Sequence, residues 1–271
     1  MFKLKKINNE VVEPIPQKKM SPDQIKGYNL FQEPYCNIFI CAKKKSGKTC
    51  TIFKILKDCS DKNTKVIIFS STAYKDQNMI KITEWLEEKG MMYDIFTALD
   101  DYLKTIIDEI ENNEELDKID KSEDEKEDDK PKIISFSETK DEIRLRIKKR
   151  KPKKKAPKYI FIFDDISSDL RNNEISELVK QNRHYLSKVI ISSQYPLDLK
   201  PDGRNQIDYW LLYQGHSDKK LEEIYNICNL SVSFDEFKNI YNEATKEKYH
   251  FLYIDTINHT FRKDFNMIFE I

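Results

Sequence analysis

Runs of apolar residues alternate along the chain with amphipathic segments, and the two patterns predict alternating strands and helices. Apolar runs typical of buried strands lie at residues 37–41, 65–71, 158–165, 188–193 and 209–213, with a weaker strand at 92–96. Apolar residues at helical spacing predict helices over residues 51–56, 80–89, 99–110, 172–185 and 217–229. This alternation predicts an α/β fold with a mostly parallel central sheet flanked by helices.

The two ends of the chain follow different patterns. Residues 1–34 are polar and interrupted by prolines, which predicts an N-terminal arm laid over the main domain of residues 35–271. Ser233 and Glu236 have the spacing of a capping box, which predicts a further helix. Residues 249–269 alternate between apolar and polar around Asn258. This alternation predicts a β-hairpin that extends the edge of the sheet.

Composition narrows the class of protein. The chain has 271 residues, enough for one α/β domain with insertions, and 47 basic residues balance 47 acidic ones. No global basic excess therefore marks a nucleic-acid partner, and any such surface must be local. The five cysteines are odd in number and lack CxxC spacing, which predicts a reduced, intracellular protein. No leader and no apolar run near eighteen residues is present, so we expect no membrane span.

Two blocks of opposite charge interrupt the alternation of strands and helices. Acidic residues dominate Glu111–Lys130, and every charge in Arg144–Lys158 is positive. A segment of this composition buries little apolar surface, so residues 108–157 are predicted to form a charged, flexible insertion. Either the two blocks pair with each other, or the basic block contacts DNA phosphates while the acidic block shields it.

A phosphate-binding loop is predicted where the first strand meets the first helix. The sequence AKKKSGKT occupies residues 42–49, and in such a loop backbone N–H groups and the helix N-terminus face the phosphates of ATP. Lys48 would reach the β and γ oxygens, and the Thr49 hydroxyl would hold Mg²⁺. The predicted nucleotide-binding residues are consecutive, namely Ala42, Lys43, Lys44, Lys45, Ser46, Gly47, Lys48, Thr49 and Cys50.

Two features of this loop leave alternatives open. The full pattern has Gly at its first position, where this chain has Ala42, and Ala fits there if its φ is negative. Lys43, Lys44 and Lys45 either face phosphate or nucleic acid, or are only solvated. The competing interpretation of the whole stretch is a Lys-rich surface turn.

A pair of carboxylates ends the strand at residues 158–165. We expect this strand to be parallel and adjacent to the first strand, which would bring Asp164 and Asp165 beside the phosphate loop. Asp164 would then lie near Mg²⁺, and Asp165 would orient or polarise the attacking water. The alternative is a strand that ends in an ordinary polar turn.

The next strand ends at a polar amide, that of Gln194. An amide at this strand end would lie close to the γ-phosphate and sense its presence. Alternatively, Gln194 only caps a turn ahead of Pro196.

The order of these parts resembles the FtsK-HerA superfamily of DNA-pumping ATPases, and most of all the poxvirus-type packaging ATPases of large DNA viruses and virophages. Four blocks between about residues 35 and 215 carry the resemblance: AKKKSGKT at Ala42, YIFIFDDISSDLR at Tyr159, NRHY at Asn182 and VIISSQYP at Val189. The resemblance implies a RecA-like P-loop NTPase core in a homo-oligomeric ring. Such a ring hydrolyses ATP with Mg²⁺ and drives double-stranded DNA, here a viral genome, into a capsid.

The resemblance assigns the same roles to the loop, carboxylate and sensor residues already named. It adds Arg183, which matches the family's arginine ahead of the sensor strand. Asp165 stands where cellular relatives more often have Glu. The family also implies a capsid or portal component as a partner, with the protein in the infected host cytoplasm and in the virion.

Arg183 is predicted to lie at the margin of the nucleotide-binding face. It would then act on a neighbouring subunit's ATP, contact the γ-phosphate of its own subunit, or form a plain surface salt bridge. Arg171 and Arg204 are the backup candidates.

Two other functions compete with the translocating motor. One is a P-loop kinase or GTPase that acts on a small molecule or as a switch, although the guanine-reading Asn-Lys-x-Asp motif is absent. The other is a non-catalytic nucleotide-binding scaffold, which predicts loss of Lys48 or of a carboxylate. Both groups are present.

Overall fold

A single sheet forms the centre of the protein. The computed structural model describes residues 20–100, 102–112 and 154–270, together with residues 5 and 7. Within these residues the sheet has nine strands, which are β1 (Asn37–Cys41), β2 (Lys65–Ser70), β3 (Tyr93–Phe96), β4 (Tyr159–Asp164), β5 (Ser187–Ser193), β6 (Tyr209–Tyr213), β7 (Phe251–Asp255), β8 (Thr260–Lys263) and β9 (Met267–Ile268).

Helices cover the sheet and connect its strands. They are α1 (Lys48–Cys59), α2 (Gln77–Glu88), α3 (residues 102–112), α4 (Asn173–Gln181), α5 (Pro201–Arg204), α6 (Asp218–Cys228) and α7 (Phe234–Ala244). The α/β prediction is confirmed, and so is the capping box, in which Ser233 Oγ accepts from Glu236 N–H. Among the described residues no helix has the length and apolar character that a membrane crossing needs.

Helix α4 is shorter than the pattern at residues 172–185 predicts. Asn172 caps its start by accepting from the Glu174 N–H at 2.9 Å, as expected. The helix ends at Gln181 because the backbone N–H and the hydroxyl of Ser187 both donate to the carbonyl of Asn182. These bonds turn the chain directly into β5.

One prediction about neighbouring strands is wrong. The sheet runs β3-β2-β4-β5-β1-β6-β7-β8-β9, with the first six strands parallel and the last three antiparallel. The prediction that the carboxylate strand lies next to the first strand is wrong, because β5 pairs with both and separates them. Apolar runs identify strands but carry no information on which strands are neighbours.

The parallel strands are buried on both faces. In β1, Phe39 and Cys41 face one core layer, where Phe39 packs 4.8 Å from Trp210 between ring centres. Ile38 and Ile40 face the other layer, together with apolar residues of α1. Burial on both faces explains the continuous apolar runs in the sequence.

Segments at the margins of the domain also take part in packing. Phe31, ahead of β1, is buried 5.0 Å from the ring of Tyr209. Ile110 of α3 is buried, and the Lys155 N–H donates to the Gln24 carbonyl. Both ends of the predicted 108–157 insertion thus contribute to the fold, while residues 113–153, with most of both charge blocks, lie outside the described residues.

The C-terminal hairpin is present. Strands β7 and β8 pair antiparallel across a turn at residues 256–259, and β7 pairs antiparallel with β6. Asp255 stabilises the turn by accepting from the N–H groups of Ile257 and Asn258. The antiparallel direction places the start of β7 at the edge where β1 and β6 end.

Candidate nucleotide-binding site

The carboxyl ends of the parallel strands form the edge at which ligands of open α/β sheets bind. The loop of residues 42–47 leaves β1 at this edge and leads into α1, whose N-cap is Gly47. The loop turns through two residues with left-handed backbones, Lys45 at φ 63° and Gly47 at φ 97°. Ala42 is not among the residues with positive φ, so Ala meets the condition for its position.

The loop exposes some polar groups and leaves others buried. Lys43, Lys44 and Lys45 are exposed, whereas Thr49 in the first turn of α1 is only 7% exposed. The Ser46 hydroxyl oxygen is buried with no hydrogen-bond partner in the part of the chain that the structure describes. Because a buried hydroxyl usually has a partner, this oxygen is consistent with a loop built around a polar ligand.

Lys48 lies between two carboxylates. Its Nζ is 2.7 Å from Oδ1 of Asp164 and 2.7 Å from Oδ1 of Asp165. Burial acts to lower the pKa of Lys48, but Asp164 and then Asp165 outweigh it and hold that pKa above its ordinary value. The structure therefore brings the loop lysine and both predicted carboxylates together, with the lysine ammonium between them.

The two carboxylates differ in their surroundings. Asp164 is the last residue of β4 and its side chain is 2% exposed, whereas that of Asp165 is 37% exposed. Asp165 has a left-handed backbone, φ 54°, and Ser71 Oγ donates to its carbonyl at 2.7 Å. The end of β2 thus helps to orient Asp165, a contact that no sequence pattern indicates.

Gln194 follows β5 directly and therefore lies between the phosphate loop and the carboxylates. The register pairs Ser193 with Cys41 at the end of β1, and Ser192 with Asp164 at the end of β4. The Gln194 carbonyl accepts from Lys220 Nζ and, at 3.4 Å, from Cys41 Sγ. The interposition of β5 thus puts Gln194 between the phosphate loop and the carboxylates, and the turn at Pro196–Asp198 has Tyr195 as its N-cap.

His216 supports the same edge from the end of β6. Its Nε2 lies 3.1 Å from the Cys41 carbonyl, so Nε2–H donates, and Nδ1 is buried without a partner among the described residues. The pKa of His216 falls to about 4, first because of burial and then because of the charge on Lys220. A neutral imidazole therefore contacts the carbonyl that precedes the phosphate loop.

The residues present fit a magnesium ion that is held together with a nucleotide. Thr49 and Asp164 offer a hydroxyl and a carboxylate, which are oxygen ligands of the kind Mg²⁺ prefers. Among the described residues no cluster of three or more His, Cys, Asp or Glu side chains could hold a metal ion. Mg²⁺ usually keeps water and phosphate ligands, so the small protein set is sufficient.

Arg183 lies at the other edge of the sheet. It precedes β5, and its Nη2 is 3.8 Å from Oδ1 of Asp208, which precedes β6. Since β5 has seven residues at about 3.3 Å each, roughly 20 Å separates this arginine from the phosphate loop. The expected position at the margin of the nucleotide-binding face is wrong within one chain, because β5 runs parallel to β1, and a residue ahead of β5 therefore lies where the strands begin and not where the phosphate loop leaves β1.

The backup arginines differ in their exposure. Arg171 ends the 3-10 turn Asp169–Arg171, six residues beyond Asp165, and is exposed. Arg204 is half-buried, and its pKa is lowered first by burial and also by the neighbouring Arg171. These two guanidinium groups therefore lie close enough to each other for their charges to interact.

Comparison with known proteins identifies the family of this chain and one relative of it. Residues 125–263, just over half of the chain, match the model of the family described as Poxvirus A32 protein. An 89-residue stretch is 35% identical to the uncharacterized protein L437 of Acanthamoeba polyphaga mimivirus, and covers 30% of this chain and 31% of that protein. The match to this curated relative thus spans about a third of its length.

Two solved structures share the fold. The genome packaging NTPase B204 from Sulfolobus turreted icosahedral virus 2, in complex with AMP, superposes with a TM-score of 0.51 and 17% identity, over 86% of this chain and 98% of that chain. B204, the DNA-packaging ATPase from Sulfolobus turreted icosahedral virus, gives a TM-score of 0.51 and 16% identity, over 85% and 97%. At these identities the likeness concerns the fold.

Proposed function

This chain belongs to the poxvirus A32 protein family, and from this premise we propose that it is an ATP-hydrolysing motor that translocates double-stranded DNA and packages a viral genome. The observation that carries the proposal is the position of Lys48, 2.7 Å from both Asp164 and Asp165 at the ligand-binding edge of the sheet. Hydrolysis of a nucleoside triphosphate uses a loop lysine to bind phosphate, a buried carboxylate beside the metal and an accessible carboxylate beside the attacking water.

Each group has a distinct role in hydrolysis. Lys48 binds the β- and γ-phosphate oxygens and balances their charge, and backbone N–H groups of the loop add further donors. Asp165 is accessible enough to hold the attacking water and accept its proton, while Gln194 contacts the γ-phosphate. Attack of that water on the γ-phosphorus breaks the bond to the β-phosphate oxygen and yields ADP and phosphate.

The metal site belongs to the same proposal. Thr49 and Asp164 would hold the ion, and Mg²⁺, when bound, neutralises charge on the β- and γ-phosphate oxygens. The buried position of Asp164 suits this role, because a carboxylate with little access to water is best stabilised by a cation. Asp165, being more exposed, stays available for water.

The partners are double-stranded DNA, further copies of this chain in a homo-oligomeric ring, and a capsid or portal component. The names of the B204 structures describe packaging enzymes with this fold, one of them with AMP bound, which supports nucleotide binding here. We place the protein in the infected host cytoplasm and in the virion. The kinase or GTPase alternative is not favoured, because the chain belongs to a family of another class.

A ring also gives Arg183 a role. Its side chain is 64% exposed at the edge opposite the phosphate loop, so it is available to a neighbouring subunit. In a head-to-tail ring each interface joins two different surfaces, and one subunit's arginine can reach the next subunit's ATP. Arg171 and Arg204 are the alternatives for this role.

Steady-state ATPase activity of the full chain, with and without long duplex DNA, tests the proposed function. A DNA-driven motor should hydrolyse ATP several-fold faster when duplex DNA is present, and the stimulation should fall as salt rises because phosphate contacts are screened. An equal rate at every DNA concentration would overturn the proposal.

A further inference from the structure

Tyr249 is an exposed aromatic residue held beside the phosphate loop in a conformation that tyrosine rarely adopts. Its backbone φ is 74° and its side chain is 59% exposed. A Cβ placed on Gly47 would lie 3.4 Å from Cδ1 of Tyr249, so the ring borders the N-cap of α1. Residues in such unfavourable conformations concentrate at ligand-binding sites, where the surrounding structure holds them.

The topology brings Tyr249 to this position. Strand β7 is antiparallel to β6, and Phe251 at its start pairs with Tyr213 at the end of β6. Tyr249 comes two residues before β7 and therefore lies at the edge where β1 ends. The Thr51 hydroxyl in the first turn of α1 lies 2.5 Å from the Tyr213 hydroxyl, which joins this helix to the end of β6.

The turn that carries Tyr249 is fixed on its C-terminal side. His250 Nδ1 lies 2.5 Å from Oδ2 of Asp264, and the Phe251 N–H donates to Oδ1 of the same carboxylate at 3.1 Å. Lys248 Nζ lies 4.7 Å from the centre of the Tyr249 ring. The neighbours of Tyr249 are thus anchored while its ring projects from the surface, which is the arrangement of a preformed platform.

Different functional residues lie on the two sides of β1 in the sheet. Strands β4 and β5, with Asp165 and Gln194 at their ends, lie on one side, and β6 and β7 lie on the other. A nucleotide whose γ-phosphate faces Asp165 would extend its sugar and base away from that carboxylate. Extended across β1, it would bring its base to the side of Tyr249.

We propose that the ring of Tyr249 stacks on the adenine base of the nucleotide whose phosphates lie in the loop of residues 42–50, an inference that rests on the proposed function. Stacking uses the face of the base, so this contact adds affinity for any nucleoside triphosphate and none for a base-free phosphate chain. This difference separates a base platform from a residue that only shapes the loop.

Isothermal titration calorimetry with the full chain and Mg²⁺ tests the inference, using ATP and inorganic tripolyphosphate as ligands. Tyr249→Gly removes the ring, and because glycine favours a φ of 74° the turn itself should be kept. Tyr249→Phe retains the ring. Tyr74→Ala, which removes another exposed tyrosine after β2, is the control for a general effect of losing surface tyrosine.

We expect Tyr249→Gly to weaken ATP binding about 10-fold while the affinity for tripolyphosphate stays within about twofold. Tyr249→Phe and Tyr74→Ala should bind both ligands like the parent chain. Equal ATP affinity in Tyr249→Gly and the parent, or an equal loss of affinity for both ligands, would overturn the inference. The proposed function would still stand in that case, provided that the parent chain binds and hydrolyses ATP. A parent chain that binds neither ligand would overturn both.

Discussion

The Nζ of Lys48 lies 2.7 Å from Oδ1 of Asp164, although an entire strand, β5, separates the strands from which the two residues come. The loop after β1 starts beside the end of β5, where the Ala42 N–H donates to the Ser193 carbonyl at 3.1 Å. Phosphate oxygens and Mg²⁺ would therefore bind to one group of interacting charged side chains, namely Lys48 and the two carboxylates. Binding of a nucleotide and binding of the metal should consequently be coupled.

The first prediction concerns the removal of the Lys48 ammonium from this group of charged side chains. Lys48→Ala should lower ATP turnover by about 100-fold or more and weaken ATP binding, because desolvated phosphates lose their charged partner. Lys54→Ala is the matched control, since Lys54 lies on the same helix and pairs only with the partly exposed Asp58 among its described contacts. ATPase and binding assays of the two variants check this, and parental turnover in Lys48→Ala would show that the loop is misassigned.

The second prediction separates the two carboxylates. Asp165→Asn should leave ATP affinity near that of the parent but slow turnover about 10²- to 10⁴-fold, because orienting and deprotonating water matters only in the chemical step. Single-turnover hydrolysis, combined with a binding titration, measures both quantities. If ATP affinity falls in step with turnover, Asp165 is chiefly a metal ligand, the role we give to Asp164.

Much of the fold was predictable from the order of apolar runs. Strands buried on both faces require continuous apolar sequence, and β1, β2, β4, β5 and β6 all lie within a residue or two of their runs. The family resemblance, which depends on motifs that follow these strands, is likewise confirmed. Strand order was not predictable, because hydrogen-bonded neighbours are chosen by packing that a one-dimensional pattern does not record.

The site likewise contains residues that the sequence could identify and residues that it could not. Lys48, Asp164 and Asp165 could be named because their motifs are local in sequence, and the structure brings them together. Tyr249 carries no such motif, because its importance comes from an antiparallel strand and a left-handed turn. Arg183 shows the opposite failure, since the position expected for it from the sequence is at the wrong edge of its own subunit.

The third prediction concerns the remaining role of Arg183. At the edge opposite the phosphate loop it does not reach the γ-phosphate of its own subunit, and we propose that it serves a neighbour's ATP in addition to its ion pair with Asp208. An arginine in that role is worth on the order of 10³ or more in rate. Mixing Arg183→Ala with Lys48→Ala subunits should then restore part of the DNA-stimulated ATPase that each lacks alone, because some interfaces combine an intact loop with an intact arginine. No recovery at any mixing ratio would contradict the role, and the same mixture with Arg171→Ala tests the backup residue.

The fourth prediction follows from the low pKa of His216. The folded protein holds this imidazole neutral down to about pH 4, whereas the unfolded chain protonates it near pH 6.5. The stability that neutral His216 preserves is therefore complete above pH 6.5 and is lost as the pH falls from 6.5 towards 4.

Urea unfolding of the parent and of His216→Gln at pH 7.5 and pH 5.0 measures this loss. Glutamine keeps an N–H donor for the Cys41 carbonyl but does not titrate. The parent should lose on the order of 1–2 kcal/mol more of its free energy of unfolding between the two pH values than the variant does. Equal losses would show that His216 is protonated in the folded state as readily as in the unfolded chain.

Displacement of a third strand from duplex DNA tests the central claim most directly. A fluorescent oligonucleotide is bound as a triplex at one end of a long duplex, and the full chain is added with ATP, with a non-hydrolysable ATP analogue, or as Lys48→Ala. The account predicts release of the third strand by the parent chain with ATP and by neither control, since only hydrolysis at the Lys48 site drives movement along DNA. DNA-stimulated hydrolysis with the third strand still bound at every protein concentration would contradict it.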